Sequence, residues 1–360
     1  MDSGKNYYMG IDIGSTTFKV VVLNEKNEIV NHTYQRTRPV ETQRLACSGH
    51  CSSCGNCNLG SIGKSLNAFL TECDLALSDI ACTIVTGSQI VDGLRRFVPY
   101  DQQVSEVSAH VVGARHFHPD IDAIIDCGGQ DSKCMVFDPA RNMWISMMSG
   151  VCAAGTGSYL DSVAAKLGIP VEEIAGKVNY EADTEFSSVC AVLSATSINK
   201  FKNRIPIGDL LAGACRAQAR TILNSVGQLL LHQSGRRILF QGGVASNGAV
   251  AHFLKELTGS EIIVPRYHQV MGALGAALLA HQYKELQGKL ILDKIQYEPT
   301  PQKSIAMRVN NTKKDFFSHD NSRPLVWRNL FFPTEILHAF GARILTLETM
   351  PRFSAGTVKE

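Results

Sequence analysis

Two cysteines, Cys152 and Cys190, are the side chains around which the chemistry of this 360-residue chain gathers. Cys152 stands in Val151-Cys-Ala-Ala-Gly-Thr-Gly-Ser158, a glycine turn followed by Tyr159, Leu160, Val163, Ala164 and Leu167 at helical spacing. Such a turn opens a helix, where free N–H groups and the dipole favour a thiolate. Cys190 repeats the plan, with the cap-type residues Ser187 and Ser188 before it and a helix start over Ala191 to Ile198 after it. Two thiolates fall short of a four-ligand metal centre, but two copies of the chain would supply four across a symmetry axis. Buried cysteines serving as small hydrophobes at tight helix starts fit the same spacing.

A second pair of motifs points to phosphate. Asp12-Ile-Gly14-Ser15-Thr16-Thr17, with Lys19 just beyond, and Asp126-Cys-Gly128-Gly129-Gln130-Asp131-Ser-Lys133 each join two apolar runs through an acidic glycine turn. A turn of this kind can cradle phosphate oxygens on its backbone N–H groups and hydroxyls while the carboxylate holds a hydrated magnesium ion. One such turn alone also reads as a plain tight hairpin; two facing each other would clamp a nucleoside triphosphate. A third constellation, Cys47, Cys51, Cys54 and Cys57, has three, two and two intervening residues and suits an iron–sulfur or zinc site. Its first three members also match the radical-SAM spacing, but they follow a hairpin pattern and do not open a barrel. Gly63-Lys64-Ser65 resembles the end of a P-loop, yet Asn58 stands where the earlier glycine is required and no strand precedes it.

The elements that must position these residues follow from periodicity. Tyr7 to Leu23 reads as a β-hairpin with a third strand over Glu28 to Gln35, and the plan returns at Ala123 to Phe137, an internal repeat that predicts two similarly built halves of an α/β protein. Between the repeats the spacing predicts a surface helix over Ser61 to Leu77, a short strand over Cys82 to Thr86, and helices near Gln89 to Phe97 and Val104 to Phe117. After Cys190 a long helix is expected over Ile207 to Leu231. Next come a strand from Arg237 into Gly242-Gly243, where a flat ring can approach the backbone, a strand over Glu261 to Val264, and a small-residue helix over Met271 to Ala280 containing Gly272.

Composition narrows the function classes. The chain is 44% hydrophobic and 19% charged, ordinary for a soluble protein with two core-bearing domains. Its apolar runs are too short for a bilayer and it enters a strand pattern at once with no signal peptide, so no membrane association is expected. A formal charge of +2 with interspersed signs gives no footprint for nucleic acid. Eleven cysteines without a secretory signal point to a reducing cytoplasm where thiols stay free or bind metal.

Taken in order, Asp12-Ile-Gly-Ser-Thr-Thr, Asp126-Cys-Gly-Gly-Gln-Asp-Ser-Lys133, Gly242-Gly-Val-Ala-Ser-Asn247 and Gly272-Ala-Leu-Gly-Ala-Ala277 resemble the phosphate, adenosine and connecting motifs of the actin/hexokinase/Hsp70-like ATPase fold. Together with Cys152-Ala-Ala-Gly-Thr-Gly157 and Ser188-Val-Cys190, they resemble the activators of 2-hydroxyacyl-CoA dehydratases and the related ATPase components of benzoyl-CoA reductase systems, the BadF/BadG/BcrA/BcrD type. The resemblance implies two duplicated domains with the nucleotide in the cleft between them. It further implies a homodimer holding one 4Fe-4S cluster between subunits on Cys152 and Cys190 of each chain. ATP hydrolysis would drive an electron, received from a donor such as ferredoxin or flavodoxin, onto a dehydratase or double-cubane-type partner. By motif position Asp12 would bind Mg2+ through water, and Ser15, Thr16 and the Gly128-Gly129 backbone would hold phosphates. Gly14, Lys19 and Asp126 belong to the same nucleotide-binding set. Gln130 and Asp131 would lie near the attacking water, Gly242 and Gly243 would border the adenine, and Asn247 and Gly272 would complete the nucleotide site.

The chain departs from that pattern at three places. Ser194-Ala-Thr-Ser-Ile198 stands where relatives carry a glutamate-rich segment, and Ser158 replaces a basic residue after the glycine turn. The four-cysteine segment is an insertion at 46–58 where relatives have a short cysteine-free loop. The expected organisation is an ATPase domain at 1–285, a polar linker at 286–323, and a piece at 324–360 that is similar to the opening of a dehydratase-type partner subunit, or else a docking tail. A sugar or acid kinase of the same fold and a cluster-free nucleotide-dependent scaffold are the alternatives. The kinase reading suffers because the segment between Asp131 and Cys152 is too short for a substrate domain.

Overall fold

Strand β1 (Tyr7–Ile13) is buried on both faces, and its period-2 alternation divides the work. Met9, Ile11 and Ile13 face one apolar core, while Tyr8, Gly10 and Asp12 face the opposite side. The computed structural model describes residues 6–37, 58–90, 93–149, 155–188, 191–230, 235–298, 325–328 and 343–346. After β1 come β2 (Thr17–Leu23), β3 (Ile29–Arg36), α1 (Asn58–Glu72), β4 (Ile80–Thr86), β5 (Gln102–Gln103) and α2 (Glu106–Phe117). The five strands form one sheet in the order β3-β2-β1-β4-β5, antiparallel across the hairpins and parallel from β1 to β4 and β5.

The second half repeats this plan with β6 (Ala123–Cys127), β7 (Ser132–Asp138) and β8 (Met143–Met148). Helices α3 (Gly157–Leu167), α4 (Ile174–Lys177), α5 (Ala191–Phe201) and α6 (Ile207–Ser225) follow. They lead to β9 (Arg237–Gln241), α7 (Gly248–Thr258), β10 (Glu261–Ile263), α8 (Met271–Glu285) and β11 (Ile295–Glu298). The sheet order is β10-β9-β6-β7-β8-β11; without the added β11 it mirrors the first sheet strand for strand. Ala123, Ile125 and Cys127 of β6 point into the core under α6 and α7, and Ile124 points the other way. Asp126 therefore sits on the same side of its strand as Asp12 does on β1.

Helices α2 and α8 fill the space on that shared side, in a core with Ile84, Ile124, Trp144 and Leu239. Their approach is close because three glycines leave room: a Cβ on Gly10 would collide with the Ala273 carbonyl, one on Gly113 with that of Met271, and one on Gly275 with that of Ala109. Gly275→Ala is expected to cost about 1–3 kcal/mol or more through overpacking against backbone. Thermal unfolding should register a fall of several degrees, on the order of 2–4 °C per kcal/mol for a chain of this size; an unchanged midpoint would mean that α2 and α8 do not pack as described.

Several elements differ from the sequence expectation. Ile90, Leu94 and Phe97 have helical spacing, but Gly93 takes φ +90° and, among the described residues, only the short 3-10 turn Leu94–Arg96 forms there. The long helix stops at Ser225 and gives way to a 3-10 turn over Gly227–Leu230. Helix α1 begins at Asn58 and is no mere surface helix, since Ile62, Leu66, Phe69 and Leu70 are buried against β1 and β2. The four cysteines Cys47, Cys51, Cys54 and Cys57 lie outside the described residues.

The chain divides into two units, residues 1–298 and 299–360. In the second, β12 (Leu325–Arg328) pairs parallel with β13 (Arg343–Thr346). The rest of the piece at 324–360 that is similar to the opening of a partner subunit lies outside the described residues.

Candidate functional site

The two acidic turns are built alike to the level of single hydrogen bonds. Strand register pairs Asp12 with Lys19 and Asp126 with Lys133. Gly14 N–H donates to Thr17 O at 2.9 Å, and Gly128 N–H donates to Asp131 O at 2.9 Å. The turns also touch: a Cβ on Gly129 would collide with the Thr16 hydroxyl.

Their lysines nonetheless have different surroundings. Lys19 Nζ lies 2.8 Å from Asp12 Oδ2 as its one ion pair among the described residues and keeps 15% of its side chain exposed. Burial works against its charge, but Asp12 outweighs it and holds the ammonium above its ordinary range. Lys133, 1% exposed, lies 2.9 Å from Glu106, 3.1 Å from Asp131 and 3.7 Å from Asp126. Burial again opposes the charge, and these three carboxylates push the ammonium well above its usual value. Lys133 is committed to the protein, whereas Lys19 has a face free for an anion.

Asp12 is fully buried, and its Oδ1 has no hydrogen-bond partner. An unsatisfied carboxylate oxygen at such a depth is costly unless a donor arrives from outside the chain. The water shell of a divalent cation supplies such donors, so the residue fits the magnesium role assigned to it. Asp126 is not open in this way. Burial would raise its pKa, but His110, Lys133 and Lys19 hold it below the usual carboxylate range.

Two connected cavities run between the halves. The smaller, about 30 Å³, is lined by Gly14, Ser15, Thr16 and Lys19 from the first turn and by Gly128, Gly129, Gln130 and Asp131 from the second. Gly242 and Gly243 close it beside Asp126. The larger, about 390 Å³, shares Thr16, Tyr34, Gly128, Gly129 and Gly243 and extends to Leu160, Glu172 and Asn247. Gly242, at φ +88°, packs its Cα onto the Cys127 backbone, which ties β9 to β6 at the cleft. Asn247 also caps α7, accepting from Ala249 and Val250 N–H at 3.0 and 3.3 Å. Gly272 serves chiefly to make space: a Cβ there would sit 2.7 Å from Asp12 Oδ2 and 3.1 Å from the His110 ring.

Glu106, His110, Lys133 and Gln241 were not among the residues singled out by sequence. The repeat itself signals Lys133, seven residues after Asp126 as Lys19 is after Asp12. Glu106 and His110 are an i,i+4 pair in the first turns of α2, behind the Ser105 N-cap, and carry no motif.

The second turn is bonded to the glycine segment that follows Cys152. Gly157 and Ser158 N–H donate to the Gly128 and Gly129 carbonyls at 2.9 and 3.0 Å, and Ser158 Oγ donates to Gly129 O at 2.5 Å. Ser132 Oγ donates to Gly155 O at 2.7 Å, and Gln218 Nε2 to Thr156 O at 3.1 Å. The segment before Cys190 is anchored by Thr221, whose hydroxyl donates to Ser188 O at 2.8 Å. Tyr159 OH and Ser194 Oγ, 2.6 Å apart, join α3 to α5. Both serines that depart from the family pattern are thus used within the chain. Cys152 and Cys190 lie outside the described residues, as do the four cysteines of the insertion; among the described residues there is no group of three or more His, Cys, Asp or Glu that could hold a metal ion.

Residues 9–280 match the BadF/BadG/BcrA/BcrD ATPase family. The chain is 32% identical over 278 residues to the 2-hydroxyisocaproyl-CoA dehydratase activator of Clostridioides difficile, covering 76% of this chain and 94% of that protein. It is 30% identical over 283 residues to the (R)-2-hydroxyglutaryl-CoA dehydratase activating ATPase of Acidaminococcus fermentans, covering 77% and 97%. The structure of the Clostridium difficile activator with bound ADPNP superposes with a TM-score of 0.64 at 29% identity, over 79% of this chain and 99% of that one. The duplicated sheets are those of the actin/hexokinase-like ATPase fold.

Proposed function

Because this chain belongs to the BadF/BadG/BcrA/BcrD ATPase family, we propose that it hydrolyses ATP between its two acidic turns and uses the step to deliver a low-potential electron to a dehydratase or related double-cubane or benzoyl-CoA reductase-type partner. The observation that carries this reading is the set of hydrogen bonds from Gly157 and Ser158 to Gly128 and Gly129, which ties the phosphate turn to the start of α3, five residues after Cys152. The working form is a homodimer in the cytoplasm, with Cys152 and Cys190 of both chains holding a 4Fe-4S cluster. When bound, that cluster supplies a one-electron carrier, reloaded by a donor of the ferredoxin or flavodoxin class. Cys47, Cys51, Cys54 and Cys57 hold a second centre, iron–sulfur or zinc, within one chain.

ATP places its adenosine in the 390 Å³ cavity beside Gly243 and its phosphates toward the smaller one. Lys19 and the backbone of the two glycine turns hold the phosphate oxygens, and Asp12 would hold Mg2+ through water, where the ion would neutralise charge on the phosphates. Gln130 and Asp131 orient a water at the γ-phosphorus. Its oxygen bonds to phosphorus as the bond to the β–γ bridging oxygen breaks, and ADP and phosphate leave. Loss of the γ-phosphate frees Gly129 from Thr16, and the change reaches α3 through the Gly157 and Ser158 bonds. Linkage then requires that any free energy passed to partner docking reappear as altered nucleotide affinity. ATP and ADP affinities, measured anaerobically with and without the cluster-bearing partner, should show different ratios; equal ratios would remove the coupling from this reading.

A further inference from the structure

One imidazole, on a helix that no nucleotide motif includes, lies between Asp126, Gly272 and the residue that precedes Gly242-Gly243. His110 of α2 is 3% exposed. Its Nδ1 lies 2.6 Å from Gln241 Nε2, at the end of β9 just before Gly242-Gly243. Its Nε2 faces Asp126 Oδ2 at 3.7 Å and Glu106 Oε1 at 3.9 Å, beyond hydrogen-bond range but within reach of charge. Its Cε1 is among the atoms crowding Gly272 together with the Asp12 carboxylate. Gln241 in turn reaches Asp126 Oδ1 at 3.5 Å.

The geometry points to His110 as the positioning residue that holds the Asp126 turn, the Gly242-Gly243 turn and the Asp12 turn in one register for ATP hydrolysis. This inference rests on the ATPase reading and adds a residue to it. The three turns come from β6, β9 and β1, which lie in two different sheets, and the sheets meet across α2 and α8. A rigid ring wedged among them fixes distances that two separate sheets would otherwise vary. The ring is itself held in place: burial would favour the neutral form, but Asp126, then Glu106 and Asp12, draw positive charge toward it. Lys133 fixes Glu106 from the other side at 2.9 Å. A displacement of about 1 Å at a reacting centre is worth roughly 100-fold in rate.

The test uses three substitutions in the full chain. His110→Ala removes both nitrogens. In His110→Asn the amide falls near the place of Nδ1 and keeps the Gln241 contact; in His110→Gln it falls near Nε2 and keeps the carboxylate side. The expected result is a kcat lowered about 100-fold for His110→Ala with KM for ATP within about threefold, and partial recovery, about tenfold, in each amide variant. In nucleotide-free protein, amide hydrogen exchange at 126–129 and 240–243 should rise at least tenfold in His110→Ala, while exchange in α6 stays as it was. An unchanged kcat, or a loss equal in all three variants that follows their melting temperatures, would overturn the assignment. If the unaltered chain does not hydrolyse ATP, the ATPase reading falls, and the exchange measurement still decides for or against His110: unchanged exchange at both turns overturns it.

Discussion

Replacing Asp12 with asparagine is expected to lower Mg2+-dependent ATP hydrolysis by about 100- to 1,000-fold while ADP affinity changes far less, because preorganised charge at the reacting phosphate is worth more in the transition state than in the ground state. The carboxylate is placed for that task. Its Oδ2 is fixed by Lys19 at 2.8 Å, and its Oδ1 is buried with no partner in the chain. An amide keeps the shape but halves the acceptor capacity and removes the charge. Asparagine is the informative substitution, because its amide oxygen can still accept from the Lys19 ammonium, whereas alanine would leave that ammonium with neither counter-ion nor acceptor; breaking a buried pair from one side costs about 3–5 kcal/mol. Single-turnover hydrolysis and ADP titration on the same preparation separate the two effects. A hydrolysis rate equal to that of the unaltered chain would reduce the first turn to a structural hairpin.

The turns were legible in the sequence because two independent signals coincide there: period-2 apolar runs on both sides, and an acidic glycine turn that returns between them in the second half. The repeat predicts two similar halves, and the sheets have matching strand order. It does not predict that Lys133 is consumed by three carboxylates while Lys19 is left with one, since Glu106 arrives from a helix remote in sequence. Glu106 and His110 were invisible for a related reason. Helix α2 is buried between two sheets and α8, and a polar residue on an inner face of such a helix looks like any break in apolar spacing. The helix anticipated near Phe97 failed on backbone grounds: its apolar residues keep the right period, but Gly93 turns left-handed in the middle. In α8, Gly275 serves close packing against the Ala109 carbonyl, and Gly272, assigned by the resemblance to the nucleotide site, is the floor beneath Asp12 and His110. Period and composition carry no information on what lies across a helix interface, and that is where the site's charge balance is set.

Cys152→Ala and Cys190→Ala, each alone, are expected to bring cluster iron and acid-labile sulfide close to background in anaerobically prepared protein, with loss of the visible iron–sulfur absorption. Nucleotide binding should stay within a few-fold of the unaltered chain. The separation follows from how the two regions are held. The phosphate turns close on their own backbone bonds, Gly14 to Thr17 and Gly128 to Asp131, and neither bond involves the cysteine segments. The residues flanking the cysteines lean on the second turn through Gly157 and Ser158 but are also fixed by side chains of the scaffold: Ser132 to Gly155, Gln218 to Thr156, Thr221 to Ser188, and Tyr159 to Ser194. Burial pushes the Tyr159 phenol up to about 12, so it stays protonated and keeps its bond with Ser194 across the working pH range. Alanine at either cysteine thus removes a ligand from a frame that persists. Dimer dissociation should become easier in both variants, since a metal centre bound across an axis adds its binding free energy to association. Iron held in the insertion must be counted separately, and a background in which Cys47, Cys51, Cys54 and Cys57 are all serine removes it. In that background, full iron content in both single variants would sink the assignment of Cys152 and Cys190 as ligands. Iron lost together with ADP binding would show instead that the bonds from Gly157 and Ser158 are needed to form the second turn, and that the turns do not close on their own backbone bonds alone.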